Sequence, residues 1–395
     1  MTLRNCNRIK PKNIIFYIIL IGLFLRIGYV ITLKEDLKFP DSYRYDALGL
    51  SILEGKGYPT IATAPAYPFF LSAVYFIFGH SFKIVWIVQS ILDCVSAFIL
   101  YKIGSKIISK DVGIIAGFLY CWDPFLIFFC GLLLTETVFI TVLLGFILCL
   151  ILLSRPSSMI IALVCGILFA AGVLIKPVLL YLGFALILIS ICRGLVHRTK
   201  TYYYIIVLLV AGAGLSPWII RNYIRYNRFI IATGGGIILL ESNNPNATGG
   251  AGQNNIPGIQ YIYQIKDEIE RDNYCKMRAK EFIINNPGKV LRLAVEKQKR
   301  FWAVVPRAKD YQDLKFRIIS FLWTVPVYIC AIMGFWKTKN KFKDLFPIWF
   351  PILFFTLLHT IILGSIRYRL PIMPYIHLYA AAGICFIKEI TNREK

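Results

Sequence analysis

The sequence predicts an all-α polytopic membrane protein: a bundle of about ten transmembrane helices, with juxtamembrane helices and a small α-helical cap on the outer side. Three observations predict it. Of 395 residues, 57% are apolar and 16% are charged, whereas a soluble domain carries about 25% charged residues. The apolar residues fall in blocks of roughly 16 to 22, the length that crosses ~30 Å of hydrocarbon as a helix. The net charge is +23, yet Lys and Arg are scattered in the short segments between those blocks. That is the pattern of membrane-surface charge, not of a nucleic-acid interface. An ordinary soluble enzyme, a secreted disulfide scaffold and a disordered chain are excluded. So is an outer-membrane barrel, whose strands are shorter and alternate in polarity.

The first apolar block, 13–33, follows a basic N-terminus. It is too long for the core of a cleaved signal peptide and no small-residue cleavage site follows, so it reads as a retained span. Further spans are expected at 82–101, 112–129, 134–153, 158–175, 177–192, 202–219, 316–336, 345–363 and 371–388. With a cytoplasmic N-terminus, the inner loops collect Lys102, Lys106 and Lys110, then Arg155, then Arg193, Arg198 and Lys200, then Lys337, Lys339, Lys341 and Lys343. The short outer loop 130–133 has no Lys or Arg. This places both termini in the cytoplasm of a multi-pass plasma or inner-membrane protein. Residues 66–79 are apolar but short. Counted as a full span, they would invert every later loop, so they read as an outer-surface or re-entrant helix.

Three regions follow: an N-terminal transmembrane module, 1–219, with a first outer loop at 34–65; an outer cap, 220–315; and C-terminal transmembrane helices, 316–395. The cap opens with Thr233-Gly-Gly-Gly through Gly250, which reads as loop. A helical pattern runs from about Tyr261 to Ile284, and Asn286-Pro287-Gly288 breaks it. A second, amphipathic helix runs from about Val290 to Trp302. The ten Cys lie mostly inside apolar blocks, where Cys acts as a small hydrophobe. They form no CxxC pair, and the four His have no metal-ligand spacing.

Polar residues are costly in a bilayer, so their positions carry information. On this path, charges from distant segments gather at the outer face. Asp41, Arg44 and Asp46 lie in the first outer loop, Glu136 opens a span, and Lys176 sits in an outer turn. Arg221 and Asn222 end a span, and Arg367 and Arg369 precede the last one. Each has a plain structural reading: Asp41 as a helix N-cap after Pro40, Glu136 as a helix-dipole partner, Lys176 as a snorkelling cation, and the two Arg as interfacial anchors. Asp41 and Asp46, five apart, fall on different helix faces. Arg26 and Asp93 are true intramembrane charges and read as a structural pair. Outward carboxylates, several cations and an apolar groove suit transfer of a group from a lipid phosphate. Cations stabilise the leaving phosphate, and a carboxylate takes the acceptor proton.

The same residues lie in an ordered set of motifs. They are Asp41-Ser-Tyr-Arg-Tyr-Asp46 with Gly55-Lys-Gly-Tyr58, then Ala64-Pro-Ala-Tyr-Pro-Phe-Phe-Leu71, Leu134-Thr-Glu-Thr137 and Leu174-Ile-Lys-Pro177. Pro217-Trp-Ile-Ile-Arg-Asn222, Asn243-Asn-Pro-Asn-Ala-Thr-Gly249 and Arg367-Tyr-Arg-Leu-Pro371 complete it. The set resembles GT-C glycosyltransferases of family 39, the protein O-mannosyltransferase and aminoarabinose-transferase type. The resemblance implies a GT-C-type bundle, a polyprenyl-phosphate-linked sugar donor, an acceptor hydroxyl reached from the extracytoplasmic side, and an inverting single displacement.

The family's first-loop Asp falls on Asp41, with Asp-Ser here where mannosyltransferases often carry Asp-Glu. The usual Arg-Pro appears as Lys176-Pro177, which keeps the charge and loses the bidentate fork. The expected catalytic residues are Asp41 and Glu136. Lys176, Arg221, Arg367 and Arg369 are expected at the donor phosphate, and Tyr43, Arg44, Tyr45, Asp46, Tyr67 and Asn222 at the substrates. No cofactor is expected, although Asp41 and Glu136 could share a divalent metal. The expected partners are the lipid-linked donor, membrane lipids and a hydroxyl acceptor on a lipid, glycan or protein, with no nucleic acid. A polysaccharide polymerase and a lipid-linked-sugar flippase or transporter are the alternative readings.

Overall fold

The computed structural model describes residues 11–154, 158–196, 201–308 and 311–393. Arg155, Arg198 and Lys200 of the charge argument lie outside them. The described residues form helices and short 3-10 turns, with no strand. In order, α1 is Pro11–Thr32, α2 Pro40–Leu53, α3 Ala66–Phe78, α4 Phe82–Ile107, α5 Lys110–Trp122 and α6 Pro124–Cys130. Then come α7 Glu136–Leu153, α8 Met159–Ile175, α9 Leu179–Val196 and α10 Tyr202–Tyr226. The cap holds α11 Gly235–Ser242, α12 Ile259–Gln264, α13 Glu268–Asn285 and α14 Pro287–Phe301. The chain closes with α15 Leu314–Thr338, α16 Phe346–Ile361, α17 Ile366–Arg369 and α18 Met373–Arg393.

Among the described residues, six helices are long and apolar enough to cross a membrane, and the bent pair α5–α6 makes a seventh if counted as one span. The other three expected spans coincide with α8, α9 and α16, which are shorter apolar helices. By length and composition, six or seven of the ten expected spans qualify as crossings. The α5–α6 bend of 55° has a local cause. Pro124 cannot continue a helix from α5, and the Asp123 carboxylate caps the new one by accepting the N–H groups of Phe125 and Leu126. Helix α3, at 13 residues, spans only about 20 Å, too little to cross, in keeping with the re-entrant reading.

Burial ranks the helices. In α7 and in the segment leading through α18, 72% and 78% of the apolar window is buried in the protein, against 22% for α1 and for α15. The first two form the centre; the last two present Phe, Leu and Ile to lipid. Helix α15 still packs tightly along α18, because Gly334 and Gly383 face the opposing backbone. A Cβ on Gly334 would lie 1.8 Å from the Tyr379 carbonyl oxygen, so only glycine permits this approach.

Two charges inside the bundle match each other. Arg26 Nε donates to Asp93 Oδ2 at 2.7 Å, and its other nitrogens donate to the carbonyls of Gly22, Tyr120 and Cys121. Tyr120 Oη donates to Asp93 Oδ1 at 2.6 Å. Both charged side chains are fully buried, and a pair so desolvated holds only when its remaining hydrogen-bonding groups are satisfied.

The loop after α2 and the loop before α11 are bonded to α13 through Glu268 and Asp272, which gathers α2, α3 and α11–α14 at one end. At the opposite end Arg193 pairs with Asp344, and Lys337 with Glu389. The stretch read as loop at 233–250 contains α11. Its Gly-rich start is overridden by Ile237 to Leu240, which pack against Cys275 and Ala279 of α13. The single helix expected from Tyr261 to Ile284 is two, because Asp267 caps a fresh start by accepting the N–H groups of Ile269 and Glu270.

Candidate active site

Four segments distant in sequence meet at the cap end. Arg367, in the short helix α17, donates from Nε to Glu136 Oε1 at 2.8 Å and from Nη1 to Asp41 Oδ2 at 2.7 Å. Lys176 Nζ donates to the same Glu136 Oε1 at 2.9 Å, and Arg44 Nη2 donates to Asp41 Oδ1 at 2.8 Å. Three cations thus face two carboxylates. One guanidinium, planar and forked, spans both acids.

Exposure divides the cluster. The Glu136 side chain is 1% exposed, whereas Asp41 is 32% exposed. Glu136 Oε2 accepts no hydrogen bond within the protein. Lys176 is capped below by the face of Phe139. Burial lowers its ammonium pKa, against the opposing pull of Glu136.

Each member is held from behind. Helix α2 starts at Pro40 with Phe39 at its N-cap, so Asp41 is not the cap residue. It projects from the first turn toward Arg367. Tyr45, one turn on, sets its ring at 5.0 Å and 79° to that of Tyr67. Burial and the Asp41 carboxylate push the Tyr45 hydroxyl up to about 12, which keeps it a donor. Tyr67 Oη donates to Gln89 Oε1, and Gln89 Nε2 donates to the carbonyls of Cys130 and Leu132. This chain fixes the turn that delivers Glu136. Tyr368 stacks on His359 at 5.0 Å, and His359 stacks in turn on Phe301 of α14.

The other expected site residues lie elsewhere. Arg221 donates to the carbonyls of Tyr58 and Thr60 and sits over Trp218, joining α10 to the loop after α2. Asn222 Nδ2 donates to the carbonyls of Ile230 and Ile231. Arg369 is fully buried, donates to the carbonyls of Phe301 and Ala303, and lies over Tyr328 and Phe125. Residues two apart on a helix point to nearly opposite sides, so Arg367 and Arg369 cannot share one target. Asp46 faces α3, accepting from Tyr75 Oη at 2.7 Å with His80 Nε2 at 2.9 Å. Tyr43 is exposed on α2.

The cap contributes two further buried charged groups. Glu241 of α11 is buried and accepts the Gly252 N–H at 2.5 Å. Burial raises its pKa, with Asp41 adding repulsion, and the Tyr368 hydroxyl feels it too. The signal was a carboxylate just before Asn243-Asn-Pro, in a stretch that reads as loop. Lys297 of α14 is also buried, donating to Asn243 Oδ1 and to the Ile361 carbonyl. It ties the cap to the segment that delivers Arg367. Among the described residues no three His, Cys, Asp or Glu converge as metal ligands.

Residues 62–220 match a family model described as dolichyl-phosphate-mannose-protein mannosyltransferase. The match takes in Glu136 and Lys176 and leaves Asp41 and Arg367 on either side. No curated protein matches the chain by sequence. Among solved structures, ArnT from Cupriavidus metallidurans bound to undecaprenyl phosphate is similar at TM-score 0.57 and 12% identity, over 94% of this chain and 59% of that one. An oligosaccharyltransferase from Archaeoglobus fulgidus is similar at TM-score 0.61 and 12% identity, over 97% of this chain and 51% of that one. The archaeal oligosaccharyltransferase AglB, in complex with an inhibitory peptide and a dolichol-phosphate, gives 0.57 and 13%, over 96% and 50%. The chain therefore spans between half and three fifths of the length of these neighbours. The matches bear out a GT-C-type membrane fold resembling the protein mannosyltransferases and ArnT.

Proposed function

We propose that the chain is an integral membrane glycosyltransferase. It moves a sugar from a polyprenyl-phosphate-linked donor to an acceptor hydroxyl on a lipid, glycan or protein, on the extracytoplasmic side and with inversion. One observation carries the reading: the Arg367 guanidinium bridges Asp41 and Glu136, with Lys176 on the same Glu136 oxygen. The likeness to proteins whose structures hold undecaprenyl phosphate and dolichol-phosphate supports a lipid-phosphate donor.

In this mechanism Lys176 and Arg367 meet the donor phosphate, joined by Arg44 at the exposed rim. The acceptor oxygen attacks the anomeric carbon while its proton passes to the Asp41 carboxylate. The bond from that carbon to the phosphate oxygen breaks, and its electron pair leaves with the phosphate. The cations stabilise the charge that builds there. Glu136 holds Lys176 and Arg367 in place. Arg367 supplies positive charge between the two carboxylates. Arg221 and Arg369, bound to backbone carbonyls, support the loops around the site.

The deciding experiment is the release of polyprenyl phosphate by the purified chain in lipid, given a lipid-linked sugar and a mixture of cell-envelope acceptors. Transfer with release is expected. Relocation of intact donor across the bilayer, without cleavage, would make the protein a flippase.

A further inference from the structure

The cap contains a second concave site that the transfer chemistry does not use. A cavity of about 490 Å3 opens between the end of α11, the turn into α12 and the last turns of α13. That volume suits a small ligand, since such pockets run about 300–1,000 Å3. Tyr261 and Tyr274 form one wall, with ring centroids 5.7 Å apart at 64°. Arg278, Glu281, Asn285 and Asn286 form the polar rim.

Much of this hydrogen-bonding capacity is unspent. Among the described residues neither tyrosine hydroxyl has a hydrogen-bond partner. Arg278 Nε and Glu281 Oε2 stand 4.0 Å apart, too far for a hydrogen bond. Asn286 donates its amide to the Phe282 carbonyl, which leaves its own oxygen free to accept.

We propose that this cavity is a saccharide subsite, seating a sugar unit of the acceptor next to the one that receives the new linkage. The inference rests on the transferase reading. A pyranose offers an apolar C–H face, which packs on an aromatic ring. It also offers neighbouring hydroxyls, which pair with the planar ends of Arg, Glu and Asn. A peptide acceptor would instead call for a strand edge or an extended groove. The described residues contain no strand, and the cavity is lined from 240–245, 256–262 and 274–286.

Helix α11 connects the two sites. Leu240 and Asn244 line the cavity, while Glu241 between them accepts the Gly252 N–H and is repelled by the Asp41 carboxylate.

The test uses the full chain in lipid nanodiscs, with an array of neutral and acidic di- to tetrasaccharides as probes. Tyr274→Ala and Glu281→Gln are compared with wild type for array binding and for acceptor KM. Cleavage of a lipid-linked donor is followed in parallel. A subset of saccharides is expected to bind wild type, with at least tenfold weaker binding and higher acceptor KM in both variants, and donor cleavage by water unchanged. Saccharide binding that persists in both variants overturns the proposal. So does a wild type that binds no saccharide but glycosylates a peptide. Saccharide binding lost in both variants, alongside a wild type that cleaves no lipid-linked donor, supports the subsite and sinks the transferase reading instead.

Discussion

Substituting Arg367 by lysine separates a working cation from an interfacial anchor. Arginine reaches Glu136 with Nε at 2.8 Å and Asp41 with Nη1 at 2.7 Å. Lysine keeps the charge but is a point donor on a flexible stem, so it can hold one carboxylate at a time. The loss is one charge-assisted hydrogen bond, worth ~1.5–3 kcal/mol. At about 1.36 kcal/mol per decade, Arg367→Lys should lower kcat/KM by roughly 10- to 150-fold. Arg367→Ala goes further, because it leaves the buried Glu136 with Lys176 alone; breaking such a pair costs about 3–5 kcal/mol. The alanine variant should therefore lose thermal stability as well as rate, and the lysine variant mainly rate. Both are measured on one preparation, by release of polyprenyl phosphate and by thermal unfolding in nanodiscs. An anchor would tolerate lysine, which snorkels equally well. An Arg367→Lys protein that transfers sugar at the wild-type rate refutes the bridging role.

Asp41→Asn should fold and bind donor, since Phe39 is the N-cap, yet transfer ~10²–10⁴-fold more slowly; near-normal turnover would shift the base to Glu136. Asp93→Ala strands Arg26 among carbonyls and should cost about 3–5 kcal/mol, read from thermal unfolding of the purified chain, where an unchanged midpoint would contradict the pairing. Burial pushes Lys297 down to about 8, against about 10.4 in the unfolded chain. The unfolded state then holds the extra proton between those values, so this residue makes the fold more stable as pH rises from about 8 to 10. Lys297→Met should remove that rise, and parallel pH–stability curves for the two proteins would count against it. Cysteine labelling from outside intact cells should reach position 253 in the cap and not position 340; the reverse would overturn the proposed sidedness.

Features with a strong local cause were legible in the sequence. The apolar blocks gave the helices, and cost alone paired Arg26 with Asp93, the two charges deep in spans. The short apolar stretch 66–79 is a single helix of 13 residues. The meeting of Asp41, Glu136, Lys176 and Arg367 was legible only as a shared side of the membrane, because no periodicity relates residues more than three hundred apart. Sidedness also admits false members. Arg221 and Arg369 share that end, yet helix phase turns one onto the 58–60 carbonyls and buries the other behind Phe301. Glu241 was hidden for the opposite reason. Three glycines mark a loop by propensity, and only packing against α13 makes a helix there.

The way the cap is fastened bears on how substrates come and go. Glu268 accepts the Thr60 hydroxyl and the Ile61 N–H, and Asp272 accepts the N–H groups of Gly234 and Gly236. Two carboxylates on one helix thus staple the loop after α2 to the loop before α11. Each bond is charge-assisted, at about 1.5–3 kcal/mol, so hinging the cap open would cost several times thermal energy. A spent lipid phosphate already has its tail in the bilayer, where α1 and α15 leave wide apolar faces. Sideways escape between helices breaks none of these four bonds. On the proposed function, the product lipid would thus leave while the cap stays closed.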